Sequence, residues 1–245
     1  MGMDWPPKLP NIYYADDAIC IVHADCREIL PLLPDKSVDL VLTDPPYGVH
    51  HKKKGEPYMA GDNINQLPFI VPLFYRLLKE DGGLFIFSST EYLRDALFAF
   101  QTYFRMHNLI IWDKTVPIYP HHISHFKLQY EPILYGSRGL FYLKTNRCSD
   151  IIRCPIERGK NRVHPTQKPS DLVKALIQYT EDTKQIILDP FLGSGTTAYC
   201  AKKLGRKCIG IEIEEHYCDI AAKRCSQMVL PLEMKQEIAL SVMSL

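Results

Sequence analysis

The sequence predicts a single doubly wound α/β domain on a mainly parallel sheet of seven strands. Three observations carry that prediction. Short apolar runs alternate with longer segments of helical periodicity, the pattern of βαβ units. Gln185 to Ile213 reads as strand, glycine turn, helix and strand, and Glu212 follows Gly193 by 19 residues. That is the distance at which a nucleotide-type βαβ unit places its acid. The run Ser37 to Leu42 feeds into Thr43-Asp44-Pro45-Pro46-Tyr47-Gly48, and neither proline can donate to a sheet ladder. The backbone must therefore leave the sheet at Asp44, at the strand end where open α/β sheets bind ligands.

The chain has 245 residues and a net charge of +1, ample for one large core and no demand for a polyanionic partner. No apolar run is long enough to span a bilayer, and residues 1–10 do not read as a secretory signal. The eight cysteines form no C-x-x-C pair, so buried free thiols in a reducing cytoplasm are expected rather than disulfides or zinc.

Taken in order, Ala18 to Ala24 is the first strand, ending at Asp25, and Cys26 to Leu33 a short helix. Asp25 with Glu28 resembles a capping box, so Asp25 either caps that helix or meets a ligand at the strand end. After the strand that feeds Asp44 comes a polar loop, residues 49–65, opening on His50-His51-Lys52-Lys53-Lys54. The lysines are either a solvated face or a phosphate contact beside the turn. Leu67 to Lys79 is a helix with an irregular start at Pro72, and Asp81-Gly82-Gly83 turns into the strand Leu84 to Phe87. Ser88-Ser89-Thr90 offers caps for a helix through Phe104, with Leu93, Leu97, Phe100 and Phe104 near one face.

Strands at Leu109 to Trp112 and Pro132 to Tyr135 flank His121-His122-Ile123-Ser124-His125. His121 and His125 are four apart, yet no acid or cysteine lies near them in sequence, which favours loop histidines over a metal site. Residues 136–162 are the least regular stretch and end in Arg158, Lys160 and Arg162. Val163-His164-Pro165-Thr166-Gln167-Lys168-Pro169 leads into a helix, Ser170 to Tyr179. The strand Gln185 to Leu188 then runs into Asp189-Pro190-Phe191-Leu192-Gly193-Ser194-Gly195-Thr196-Thr197, a helix to Leu204 and the strand Cys208 to Ile213. The glycines let backbone approach a ligand and turn helix-terminal N–H groups to it. No lysine follows them, which excludes a Walker phosphate loop. Tyr217 to Gln227 closes the fold as a helix, and Met228 to Leu245 carries no assignable pattern.

The chemistry of Asp44-Pro45-Pro46-Tyr47 suits an exocyclic base amine, a poor nucleophile because its lone pair is delocalised. A carboxylate and a stiff backbone carbonyl each accept one N–H, which favours a pyramidal nitrogen whose lone pair faces an electrophile. An aromatic ring stacks on the base, a contact worth about 1–3 kcal/mol.

On these residues the chain resembles the S-adenosylmethionine-dependent DNA amino-methyltransferases, which act on adenine N6 or cytosine N4. T-D-P-P-Y-G matches their catalytic motif, D-P-F-L-G-S-G-T-T their cofactor motif, and H-P-T-Q-K-P the motif before the last αβα unit. The catalytic motif comes first and the cofactor loop last, the permuted order of the beta class, in a Rossmann-like methyltransferase fold. The resemblance implies catalytic roles for Asp44, Pro45, Pro46 and Tyr47. It implies cofactor contacts at Asp25, Asp44, His164, Thr166, Lys168, Asp189, Phe191, Gly193, Ser194, Gly195, Thr196 and Glu212. In the family a target-recognition insert lies at about 136–162, which ends in the basic cluster Arg158, Lys160 and Arg162; with Lys52, Lys53 and Lys54 beside the catalytic turn and the loop histidine His122, these are the candidate DNA contacts, and the transfer needs no metal.

The expected reaction is methyl transfer from S-adenosylmethionine to N6 of a flipped-out adenine in double-stranded DNA. Adenine is favoured over cytosine N4 because the motif begins with Asp. RNA or a protein amide is a further alternative, and the resemblance also brings in a homodimer and a separately acting cognate restriction endonuclease. A nicotinamide oxidoreductase would leave Asp44 to Tyr47 without a role. A non-catalytic DNA-binding module would keep DNA affinity after Asp44→Ala.

Overall fold

The computed structural model describes residues 3–46, 66–118, 126–141, 143–145, 148–157, 167–180 and 185–226. Tyr47, Gly48, Lys52, Lys53, Lys54, His121, His122, His125, Arg158, Lys160, Arg162, His164, Thr166 and Met228 to Leu245 lie outside them.

The elements are β1 (Ile12–Ala15), β2 (Ile19–His23), α1 (Cys26–Ile29) with a 3-10 turn (Leu30–Leu32), β3 (Val38–Thr43), α2 (Leu67–Leu77), β4 (Leu78–Phe87) and α3 (Leu93–Tyr103). There follow β5 (Arg105–Ile118), β6 (Leu128–Ser137), β7 (Ile151–Arg153), α4 (Ser170–Gln178), β8 (Ile186–Asp189), α5 (Thr196–Lys203), β9 (Lys207–Glu212) and α6 (Glu215–Ser226). All strands join one sheet of order β1-β2-β9-β8-β3-β4-β6-β5-β7. The block from β2 to β4 is parallel, whereas β1 and β6 run antiparallel to their neighbours.

Where seven strands are expected, the described residues form nine. The two additions are edge strands, β1 pairing with β2 and β7 with β5. β7 has three residues and buries only Ile152, too little alternation to mark a strand in sequence. β1, Ile-Tyr-Tyr-Ala, is only four residues long and mostly exposed. β7 lies within 136–162, so that stretch is not wholly irregular.

Alternation along the central strands builds two cores. Leu40, Leu42, Phe85, Phe87 and Ile187 face α4, α5 and α6, while Val41, Leu84, Ile86, Leu188 and Ile209 face α1, α2 and α3. Each fully buried aliphatic contributes about 1.5–3 kcal/mol. Such two-sided burial is what continuous apolar runs in parallel strands encode.

Local differences have local causes. The expected helix Cys26 to Leu33 tightens into its 3-10 turn at Pro31, which lacks the N–H an α-helix needs there. Leu78 already pairs with Val38, and the ladder resumes at Gly83 opposite Leu40, so Asp81-Gly82 is a bulge inside β4 rather than a turn before it. α3 starts at Leu93 with no side-chain cap, not from Ser88-Ser89-Thr90. All eight cysteines are free and seven are buried. Among the described residues, no helix is long and apolar enough to cross a membrane.

Candidate active site

β8 and β3 are parallel neighbours, yet the chain leaves them in opposite directions. From β8 it goes through α5 to β9, and from β3 through α2 to β4. Their carboxyl ends form the sheet's switch point, where α/β folds bind ligands. Both ends are acidic: Asp189 closes β8, and Asp44 follows Thr43 at the end of β3.

Asp189 is buried and tied into both strands. Thr43 Oγ1 donates to its Oδ1 at 2.9 Å and the Phe191 N–H to the same oxygen at 3.2 Å. Burial pushes its carboxyl up to about 6, although hydrogen bonds from Thr197, Thr43 and the Phe191 N–H pull the other way. Glu212 ends β9 on the same edge. Its carboxylate accepts the Gly193 N–H at 2.7 Å and the Glu214 N–H at 2.9 Å, and burial still holds it above the ordinary range.

Between these acids runs the glycine turn. Gly193 and Gly195 have φ of 52° and 80°, a region costly for side chains. A Cβ on Gly195 would lie 2.6 Å from Ala221 Cβ, so α6 packs hard against the turn. A Cβ on Gly193 would meet nothing within 4 Å among the described residues, whereas Gly195 has no such room.

Ser194 and Thr196 present something other than free hydroxyls. Arg224 of α6 donates to the Ser194 carbonyl at 2.7 Å, to Ser194 Oγ at 3.3 Å and to Thr196 Oγ1 at 3.2 Å. Asp25 at the end of β2 serves the cap, accepting the Arg27 N–H at 2.8 Å. The Arg27 guanidinium also binds both its oxygens, at 2.5–3.1 Å, and holds the carboxyl below its ordinary range. Asp25 is nonetheless at the shared edge, because the preceding Ala24 N–H donates to the Glu212 carbonyl.

The other half of the site gathers at Asp44. Lys168 Nζ lies 2.5 Å from Asp44 Oδ2 and 3.2 Å from Glu131 Oε2, and only 11% of its side chain is exposed. The same ammonium sits 4.9 Å from the Phe87 ring and 5.9 Å from the Trp112 ring. Lys114 binds Glu131 Oε1 at 2.6 Å and lies 5.3 Å from the Trp112 ring. The indole is fixed by its own N–H, which donates to the Cys154 carbonyl at 2.7 Å. Burial alone would push Lys168 down and Glu131 up. Instead the carboxylates of Asp44 and Glu131 raise Lys168, and Lys168 and Lys114 lower Glu131.

The strand ends therefore bring Asp25, Asp44, Asp189 and Glu212 to one edge, with Phe191 in the turn beside them. Lys168 joins them on the Asp44 side. Sequence reading missed Glu131, Lys114, Trp112, Phe87 and Arg224 as members of the site. A charged residue inside an apolar strand run was the available signal for Glu131 (Y-E-P-I-L-Y) and Lys114 (W-D-K). No group of three or more His, Cys, Asp or Glu able to hold a metal occurs among the described residues.

Known proteins resemble this chain in sequence and in fold. The chain is 29% identical over 246 residues to the type II methyltransferase M.HinfI of Haemophilus influenzae, covering 85% of this chain and 68% of that one. It is 27% identical over 267 residues to the type II methyltransferase M.BglII of Bacillus subtilis, covering 89% and 72%. Among solved structures, the M1.HpyAVI–SAM complex superposes with a TM-score of 0.65 at 26% identity, over 85% of this chain and 100% of that one. The cytosine-N4-specific PvuII DNA methyltransferase gives a TM-score of 0.74 over 93% of each chain, and at 18% identity it speaks for the fold alone. The family model of the N6/N4 DNA methylases matches residues 38–223, well over half of the chain, and the protein belongs to that DNA methylase family.

Proposed function

We propose that this DNA methyltransferase moves a methyl group from S-adenosylmethionine to N6 of a flipped-out adenine in duplex DNA. The observation that carries the reading is the switch point itself: Asp44, at the exit of β3, stands beside Asp189 at the end of β8. S-adenosylmethionine supplies an electrophilic methyl carbon on a cationic sulfur. Its ammonium and sulfonium suit an edge lined with carboxylates, and the space beside Gly193 among the described residues leaves room for backbone contact.

In this reading Asp189 and the backbone of Gly193-Ser194-Gly195-Thr196 hold the amino-acid end, and Glu212 accepts from the ribose hydroxyls. Phe191 packs near the ribose. Asp25 accepts from the cofactor's adenine amine once Arg27 turns aside. His164 and Thr166 line the methionine end. Arg224 occupies one acceptor position on each of the Ser194 and Thr196 hydroxyls, and each keeps its own O–H to donate.

Asp44 and a carbonyl of Pro45 or Pro46 accept the two amine protons, and Tyr47 stacks on the base. Transfer would form the N–C bond as the donor's S–C bond breaks, leaving S-adenosylhomocysteine, with the surplus amine proton passing by way of the Asp44 carboxylate to solvent. Lys52, Lys53, Lys54, His122, Arg158, Lys160 and Arg162 supply phosphate contacts whose affinity falls with salt. The type II relatives M.HinfI and M.BglII favour a restriction–modification role, and buried free thiols agree with a cytoplasmic setting.

Mass spectrometry of nucleosides from DNA incubated with protein and methyl-labelled S-adenosylmethionine tests the reading. Labelled N6-methyladenine is expected. Labelled N4-methylcytosine would overturn the base assignment, and no labelled base the methyl-transfer reading itself.

A pH dependence follows from Asp189. Its pKa of about 6 is raised, so its stabilising contribution to the free protein is full below the ordinary carboxylate range. That contribution is lost as pH rises through about 6. Cofactor binding has the opposite preference, because the ammonium needs the anion. Calorimetry should find a level affinity between about pH 7 and 8 and a loss of up to about tenfold between about pH 6 and 5. Asp189→Asn should flatten that acid limb. An unchanged limb in this variant would remove Asp189 from the cofactor site.

A further inference from the structure

Four charges of alternating sign run from the reacting carboxylate into the protein: Asp44, Lys168, Glu131 and Lys114. Replacing charges that are at least partly buried by apolar groups is often neutral or stabilising, so the series invites an explanation in function. It ends on Asp44. We propose that Glu131 is a positioning residue for methyl transfer, acting through Lys168 on Asp44. The assignment rests on the reading of Asp44 as the acceptor of the target amine.

The geometry gives the reason. An ammonium has three donors, and with Asp44 as its sole anion Lys168 would spend them on that carboxylate. The lone pairs needed by the base amine would then be occupied. Glu131 gives Lys168 a second anion 3.2 Å away and so divides its charge between two carboxylates. Lys114, 2.6 Å from the other oxygen of Glu131, keeps that carboxylate from swinging onto Lys168 entirely. Phe87 and Trp112 bound the ammonium as well, so its position is set by β3, β4, β5 and β6 together.

The test is single-turnover methyl transfer with DNA and S-adenosylmethionine both saturating. The variants are Glu131→Gln, Lys168→Met, the two combined, and Glu131→Gln with Lys114→Met. The last removes one charge of each sign, which protects folding. Glu131→Gln should slow transfer about 10- to 100-fold, the scale at which a misplaced reacting group is felt. Its Kd for cofactor and for DNA should be unchanged. The Lys168→Met/Glu131→Gln variant should be no slower than Lys168→Met alone, because a residue acting through Lys168 has nothing left to act on. The charge-balanced pair should keep a wild-type Tm and remain slow, and Glu131→Asp should recover part of the rate.

A wild-type rate in Glu131→Gln or in the charge-balanced pair would overturn the assignment while leaving the methyl-transfer reading intact. So would multiplicative losses in the Lys168–Glu131 pair. A wild-type protein that methylates no DNA would overturn both.

Discussion

Replacing Asp44 with Asn is expected to slow methyl transfer by about 10³-fold or more with little change in cofactor affinity. Removing one positioned polar group from a transition-state site commonly costs about 10²–10³ in kcat. Here the loss is compounded, because the amide has one acceptor oxygen where the carboxylate has two, and Lys168 competes for it. The fold should survive. Lys168 keeps Glu131 3.2 Å away, so the ammonium is not left unpaired, and the stability cost should be about 1–3 kcal/mol rather than that of a stranded buried charge. Thermal unfolding and calorimetric titration of S-adenosylmethionine on the same preparation separate the two effects. If the variant loses cofactor binding in proportion to activity, Asp44 belongs to the cofactor pocket and not to the base.

The second large effect concerns stability. Gly195→Ala is expected to cost about 2–4 kcal/mol, combining left-handed strain with overpacking. At φ of 80° its new methyl would lie 2.6 Å from Ala221 Cβ and 2.9 Å from Ala221 Cα. Backbone on both sides leaves no flexible end to move aside, so α6 must shift. That shift would disturb Arg224, which ties α6 to Ser194 and Thr196. Gly193→Ala provides the contrast. It has a similar positive φ of 52° but meets nothing within 4 Å among the described residues, so its cost should be close to the strain alone, about 1–2 kcal/mol. In a chain of this size each kcal/mol moves Tm by about 2–4 °C, so differential scanning calorimetry resolves the pair. Equal Tm losses would show that α6 packing does not limit residue 195.

What the sequence discloses of this protein follows from how far each signal reaches along the chain. β3, β8 and β9 are buried on both faces, so their apolar runs mark them without alternation. Asp44, Asp189 and Glu212 were legible because each ends or follows such a run, and parallel strands bring those ends to one edge. β1 and β7 escaped because an exposed edge strand of three or four residues has neither length nor pattern.

Glu131 was lost for a different reason. Pro132 reads as the start of a strand, which puts Glu131 outside it, whereas β6 begins at Leu128 and pairs Glu131 with Trp112. The resemblance assigns Lys168 to the cofactor, through the motif before the last αβα unit. Its ion pair with Asp44 joins residues 124 positions apart, and only the packed sheet shows it. Arg224 lies 30 residues from Ser194 and reaches its hydroxyl and that of Thr196 only because α6 packs on the turn.

The most direct test of the central claim is a crystal structure of the protein with S-adenosylmethionine bound. The ribose is expected at Glu212, the amino-acid end against Asp189 and the Gly193 turn, and the donor methyl facing Asp44 with room between them for one base nitrogen. Nitrogen and methyl carbon in such a site would stand about 3–3.5 Å apart before reaction. A cofactor bound away from the β8–β3 switch point, or one whose methyl faces away from Asp44, would contradict that claim.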